Sequence, residues 1–400
     1  MLCCAVAAEI VCSDPYDIYG PLLWKRYTIH MTAIRLSKPF VVRSLNPSAV
    51  IVGTSRAEIG YRAEHGAFTG WRPYNLGTDD ATIYEMRRLF EHALATSKID
   101  VALVGLDYES FVTDIKTRPG FNEGVLATRT DGRRNRLWFT WPMRLALSFD
   151  SLWQQYTATK FPRIELTTSG GLDPALVMRL VPQLSSVRIL KKFLNYRATL
   201  ANPAAQHYAL DSSGRLLTLT ELDKLIGMAM SRHVALHIVI NPIHSMMREA
   251  YAQVGALQAW TRWKRDIQEL CDKYKREGYA DLQLWDYATI NAATTEPLAA
   301  LDDVSLAQAD RNFMEVSHFT PRLGDMVLDD MLVSHRPVSG LGAQLDSGTL
   351  DQHLRQDANR MQQWEQQNPK IVEQIGLWVR EQPANPGNTV QTNEAPFHAD

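Results

Sequence analysis

The sequence predicts an α/β protein, a mainly parallel sheet with helices on both faces. Short apolar runs without polar alternation, such as Ala49-Val50-Ile51-Val52 and Val101-Ala102-Leu103-Val104, suit strands buried on both sides. Stretches of ten or more residues with helical period separate such runs, and parallel neighbours need crossover connections of about that length. The chain has 400 residues, enough for two ordinary domains or one large α/β domain with insertions.

Composition narrows the class further. Hydrophobic residues at 45%, charged residues at 22% and ten Trp mark a folded chain, because disordered segments lack the apolar area to offset ordering entropy. The net charge is −2 with no dense basic run, which argues against a nucleic-acid partner. Cys3, Cys4, Cys12 and Cys271 form no CxxC pair, so neither a zinc site nor a disulfide framework is indicated.

Residues 1–45 read as an N-terminal segment. Its opening, Met1 to Val11, is apolar apart from Glu9 but shorter than the roughly 20 residues that cross a bilayer, and it lacks a positive flank. Two readings stay open, the C-terminal remnant of a membrane anchor or signal, and a plain first strand or helix. Residues 13–48 show no clear period and end in the turn-like Ser44-Leu45-Asn46-Pro47-Ser48.

Residues 46–335 read as the α/β domain. After the first strand, Gly53-Thr54-Ser55-Arg56 opens a loop, and a short strand follows at Arg72 to Leu76. Ile83, Met86, Leu89, Phe90 and Ala93 give Ala81 to Ser97 a 3.6-residue period. Residues 113–202 read as a largely helical insertion over the strand ends. The alternation resumes with a helix over 219–232, a strand over 234–240, a long helix over 244–275, a strand over 282–285 and a helix over 321–332. Residues 336–400 read as a helical extension, Gln-rich over 349–381, with a flexible tail from Gln382.

In open parallel sheets reactive groups gather at the carboxyl ends of the strands. Those positions hold Ser55, Asn75 to Asp80, Asp107 and Asn241 to His244, and the loop before the 321–332 helix holds Glu315-Val316-Ser317-His318. A serine nucleophile needs a base, a carboxylate to orient the base and donors for the oxyanion. Ser55, His318 and Glu315 fill the first three roles by residue type.

The blocks Gly53-Thr54-Ser55-Arg56, Tyr74-Asn75-Leu76-Gly77, Val104-Gly105-Leu106-Asp107 and Glu315-Val316-Ser317-His318-Phe319, in that order, resemble the SGNH or GDSL hydrolase superfamily. They are most similar to a bacterial envelope branch with Gly-x-Ser-Arg, Asn-Leu-Gly, Gly-Leu-Asp and Ser-His-Phe motifs. The resemblance spans roughly residues 46–333 through short motifs. It implies a flavodoxin-like three-layer α/β/α fold, with Ser55 as nucleophile, His318 as base and Glu315 where the superfamily usually has Asp. It also puts Asp80 where the superfamily has an oxyanion-hole Gly and Asp107 where it has an Asn. A carboxylate beside a growing oxyanion is repulsive unless protonated or paired.

Other residues carry two readings each. Arg56 either pairs with Asp107 or Asp80 or holds an anionic substrate group. Asn75, with Gly77 beside it, is an Asx turn or a substrate contact. His244 caps the following helix or joins the site. Glu296 and Asp286 read as solvated or capping carboxylates, and Trp138, Phe139 and Trp141 as local core or a sugar-stacking platform. No metal motif, phosphate loop or cofactor signature occurs. The function expected from the resemblance is an ester hydrolase or O-acyltransferase on an acylated polysaccharide or polyol, at the periplasmic side of the cell envelope. The alternatives are a catalytically weakened binding or assembly protein of polysaccharide export, and a cytoplasmic location.

Overall fold

A computed structural model describes residues 2–14, 16, 18, 31–113, 115–148, 151, 166–172, 190, 217–298 and 311–381. The strands are β1 (Ala49–Val52), β2 (Pro73–Asn75), β3 (Val101–Leu106), β4 (Ala235–Ile240), β5 (Leu282–Asp286) and β6 (Ala343–Gln344). They form one sheet in the order β2-β1-β3-β4-β5-β6, parallel except for β6, which runs antiparallel on the β5 edge. The parallel part has the 2-1-3-4-5 order of flavodoxin-like sheets.

Both faces are covered, as all-parallel sheets require. Val50, Val52, Ala102, Val104, Leu236 and Ile238 point to one layer, built from α4 (Ile83–Thr96), α6 (Leu217–Ser231), α7 (Ser245–Gln253) and α8 (Leu257–Arg276). The alternate residues Ala49, Ile51, Leu103 and Val239 point to the other, which holds α3 (Ser55–Gly60) and α9 (Pro321–Leu328). The expected three-layer α/β/α architecture is therefore the observed one. In the expected insertion α5 spans Trp141–Ala146; of that insertion, residues 114, 149–150, 152–165, 173–189 and 191–202 lie outside the described residues. The tail from Gln382 also lies outside them.

Four elements differ from the sequence reading, the first being α3, where the sequence reads a loop after Gly53 and the chain is helical from Ser55 because Thr54 caps it. The long helix expected over 244–275 is two helices, because Gly255 sits at φ +79° and breaks the run. Residues 31–45 form helix α2, which the sequence conceals: Pro39 lies inside it, and Arg35, Ser37 and Lys38 interrupt its apolar stripe although all three are buried. The two-residue β6 is too short to leave a pattern. The opening segment is a helix, α1 (Leu2–Ser13). Among the described residues no helix is long and apolar enough to cross a membrane.

The buried polar residues of α2 tie it to the domain. Lys38 Nζ lies 2.8 Å from Glu58 Oε1 on α3 and also donates to the Gly77 carbonyl. Burial pushes the Lys38 ammonium down and the Glu58 carboxyl up, and each partner's charge works against that push. The helical extension is tied in the same way through α10 (Leu350–Gln367), which α11 (Pro369–Glu381) follows. Its Asp357 pairs with buried Arg248, and its His353 lies 3.0 Å from Asp286, which also pairs with Lys264 at 2.6 Å. Asp286 is thus fully buried rather than solvated. Removing one member of such a pair leaves an uncompensated charge in the core.

Three buried histidines set an acid limit on the fold. Burial holds His92, His237 and His244 down to about 4 from an ordinary 6.5. His92 accepts from the Ala127 N–H at Nδ1 and donates from Nε2 to the Pro39 carbonyl, an arrangement open only to the neutral ring. The folded pKa is depressed, so the unfolded chain binds more protons between about pH 4 and 6.5. This stability is whole above pH 6.5 and is lost as pH falls toward 4, by about 3 kcal/mol per histidine at the lower end. Glu249, pushed up to about 7 mainly by burial, works in the opposite sense. We expect the urea midpoint to fall steeply between pH 6.5 and 4.5; a midpoint constant over that range would contradict the neutral-histidine assignment.

Candidate active site

The four sequence blocks converge at the carboxyl edge of the sheet. β1 ends at Val52, and Gly53 lets the chain turn tightly into α3: a Cβ there would lie 2.5 Å from the Cβ of Ala57. Thr54 caps α3 by accepting from the Arg56 N–H, so Ser55 becomes the first residue of the helix. Far along the chain, Met314 and Thr320 donate to the His318 and Asn312 carbonyls, with Phe313 and Phe319 paired, so residues 312–320 close on themselves as a hairpin-like loop. This loop leads directly into α9.

The close crossing of α3 and α9 brings the two parts together. A Cβ on Gly324 would stand 1.8 Å from the Gly60 carbonyl oxygen, and one on Gly60 would stand 2.0 Å from the Phe319 ring. Only glycines allow this approach. Across 263 residues of sequence, Ser55 Oγ comes to 2.9 Å from His318 Nε2. His318 Nδ1 is bonded to Glu315 Oε1. A carboxylate on Nδ1 fixes that nitrogen as the N–H donor and leaves the Nε2 lone pair toward the serine hydroxyl.

Glu315 folds back over its own turn. Its Oε2 accepts from the Ser317 N–H at 2.7 Å and its Oε1 from the His318 N–H at 2.8 Å. Its side chain is 2% exposed while that of His318 is 19% exposed, so the carboxylate is sealed and the imidazole is reachable.

Arg56 spans three blocks and satisfies all five of its N–H groups. Nη1 donates to Asp107 Oδ1 at 2.8 Å, and Nη1 and Nη2 donate to Glu109 at 3.1 and 2.7 Å. Nε donates to the Ser317 carbonyl at 2.8 Å, and Nη2 to Ser317 Oγ at 2.9 Å. Burial opposes the charge of Arg56, but Asp107 and Glu109 outweigh it and hold the guanidinium firmly protonated. Asp107 also accepts from Asn241 Nδ2 at 3.0 Å and from the Thr54 hydroxyl. The pairing reading of Arg56 is the structural one, with Asp107 and Glu109 as partners. Asp80 is not among them: it pairs instead with Arg118 at 2.9 Å, with 60% of its side chain exposed.

Asn75 Oδ1 accepts from the Gly77 N–H at 2.8 Å, an Asx turn, and its Nδ2 donates to the Ala57 and Tyr61 carbonyls. Both residues thus hold α3 against β2, and the Gly77 amide is already engaged. His244 caps α7, accepting from the Met246 N–H at 3.3 Å, and its Nε2 faces the Glu296 carbonyl at 2.9 Å. Its own N–H donates to the Val316 carbonyl, and its ring meets Phe313 edge-on, so it supports the 312–320 loop from behind.

Sequence reasoning missed Glu109, Ser317 and the role of Glu296. The Glu296 carboxylate receives the backbone N–H groups of Asn312 and Phe313 at 2.9 and 2.7 Å, fastening the base of the loop that carries His318. Glu109 stands two residues past Asp107, a spacing that could have signalled a second partner for Arg56. Trp138 is buried, Trp141 half-buried and Phe139 exposed, so those aromatics divide between core and surface. Among the described residues no three His, Cys, Asp or Glu side chains gather as a metal site. A cleft of about 300 Å³ between residues 290–295 and α10 is lined by Asn291, Arg360 and Trp364, and none of Ser55, His318 and Glu315 lines it. The chain matches no protein-family profile and no curated protein.

Proposed function

We propose that the chain is an SGNH-like serine ester hydrolase or O-acyltransferase. The observation that supports this reading is the serine-histidine-glutamate relay, with 2.9 Å between Ser55 Oγ and His318 Nε2 and Glu315 bonded to Nδ1. In the proposed reaction Ser55 Oγ attacks an acyl carbonyl while His318 takes its proton, and Glu315 stabilises the imidazolium that forms. The protonated His318 then gives that proton to the departing alcohol, leaving an acyl-serine. Water or a sugar hydroxyl then attacks the acyl carbonyl as His318 takes its proton, and His318 returns that proton to Ser55 Oγ as the ester bond breaks, releasing the acid or the acylated sugar. Ser55 opens α3, where amides lack intrahelical acceptors, and its own N–H is the donor this arrangement offers the oxyanion. The substrate class, an acylated polysaccharide or polyol of the cell envelope, and work on the periplasmic side rest on the motif resemblance.

A second reading has its own observation. Residue 107 is a carboxylate where the superfamily places a donor, and residue 80, where it places a Gly, is an Asp turned out to Arg118. This favours a weakened SGNH-like binding or assembly protein. A fluorophosphonate probe separates the two. We expect covalent labelling of the native chain and none of Ser55→Ala; a native chain that stays unlabelled while folded would favour the binding protein.

A further inference from the structure

We propose that the face built by α5 and the hairpin before it docks on a bilayer containing anionic phospholipid. The helical turn Trp138–Thr140 runs into α5, so Phe139, Met143 and Leu147 recur every four residues along one side. They are 56%, 65% and 57% exposed, and Leu137 beside them is 60% exposed. These are four of the large hydrophobic side chains that the chain leaves in solvent, gathered within eleven residues. Isolated exposed apolar residues need no explanation, whereas a contiguous cluster marks a contact surface.

Charge identifies the partner. Although the chain-wide reading found no dense basic run, Arg129, Arg133, Arg134 and Arg136 lie within eight residues and are exposed on the hairpin that feeds directly into this turn, with Asp131 the one acidic residue among them. None of the four is ion-paired among the described residues. Asn135 fastens the hairpin, donating to the Gly124 and Leu126 carbonyls, so the arginines stand on a fixed loop. Apolar side chains able to enter the acyl boundary, flanked by arginines at headgroup level, are the two requirements for interfacial binding.

The opposite side of the same element is anchored. Trp138 and Leu145 share a buried cluster with Ile59 of α3 and Met314, the neighbour of Glu315, while Arg43 of α2 lies over the Trp138 ring at 5.0 Å. The docking face therefore backs onto the two elements that carry Ser55 and His318. α1 lies against α5 and exposes Cys4, Ala5, Ala8, Glu9 and Cys12. The inference stands apart from the acyl-transfer reading, since binding to vesicles involves neither Ser55 nor His318.

Sedimentation of the full chain with vesicles tests it. Vesicles of phosphatidylcholine with about one-third phosphatidylglycerol should pellet the protein at low salt, and vesicles of phosphatidylcholine alone should pellet it far less. The triple variant Phe139→Ser, Met143→Ser, Leu147→Ser should bind at least tenfold more weakly. Arg133→Ala, Arg134→Ala, Arg136→Ala should lose about a hundredfold, near five per arginine, together with most of the salt dependence. Both variants change exposed side chains, so their thermal melts should match the native chain and exclude misfolding. Failure of the native chain to bind anionic vesicles overturns the proposal. So does undiminished binding by either folded variant, or retention on an anionic polysaccharide resin but not on vesicles.

Discussion

His318→Ala is expected to lower kcat/KM for an activated aryl ester by roughly 10⁴ to 10⁶, the loss seen when a base is removed from a serine relay. Without an acceptor at 2.9 Å, the Ser55 hydroxyl keeps its proton and is a poor nucleophile at neutral pH. The ring is partly exposed and caps no helix, so the variant should melt close to the native chain. Glu315→Gln should cost of the order of 10⁴, because an amide on Nδ1 can present its own N–H and turn the ring to the wrong tautomer. Combining Ser55→Ala with His318→Ala should add little to either alone, since the two act as one unit. Turnover in His318→Ala within tenfold of the native rate would remove His318 from the role of base.

Arg56→Ala is expected to damage both stability and reactivity. Asp107 is 3% exposed on its side chain and Arg56 is its one cationic partner among the described residues, so truncation leaves a buried carboxylate unpaired, at a cost of about 3–5 kcal/mol. Glu109 loses the same partner, and Ser317 loses the Arg56 contacts to its carbonyl and Oγ, keeping only its N–H bond to Glu315 among those described above. Labelling of Ser55 by a fluorophosphonate should therefore fall about as far as in His318→Ala. Adding Asp107→Asn to Arg56→Ala should recover much of the stability, because Asn removes the stranded charge while still accepting from Asn241 or Thr54. Chemical denaturation of the single and double variants measures this directly. Strong labelling that persists unchanged in Arg56→Ala would refute the neutralisation argument and leave the nucleophile assignment standing. Reactivity that appears only on Asp107→Asn in the otherwise native chain would support the weakened-protein reading, with residue 107 the group that silences the site.

The parallel strands and most of the helices were legible in the sequence because their signals are local. Val50 and Val52 serve one face of the sheet and Ala49 and Ile51 the other, so a run apolar on both sides announces itself in four residues. Ile83 to Ala93 announced α4 through its period. Ser55, Glu315 and His318 could be chosen by residue type and by their places at strand exits and before a helix. The α2 helix escaped because its inward face carries Lys38, Ser37 and Arg35, which in the folded chain meet Glu58 and the Gly77 carbonyl, the Ile34 carbonyl, and Glu85 and the Asp79 carbonyl respectively.

What tertiary structure alone decided is which polar group meets which. Nothing local tells that Asp80 turns out to Arg118 or that Glu296 holds the loop of His318. Such pairs depend on how elements remote in sequence approach, and a charged residue reads alike whether solvated or paired. The distance between Ser55 and His318 belongs to the same class. It is set by the glycine contact of α3 with α9, where backbone passes backbone without a side chain between, and a glycine in the sequence does not reveal what comes near it.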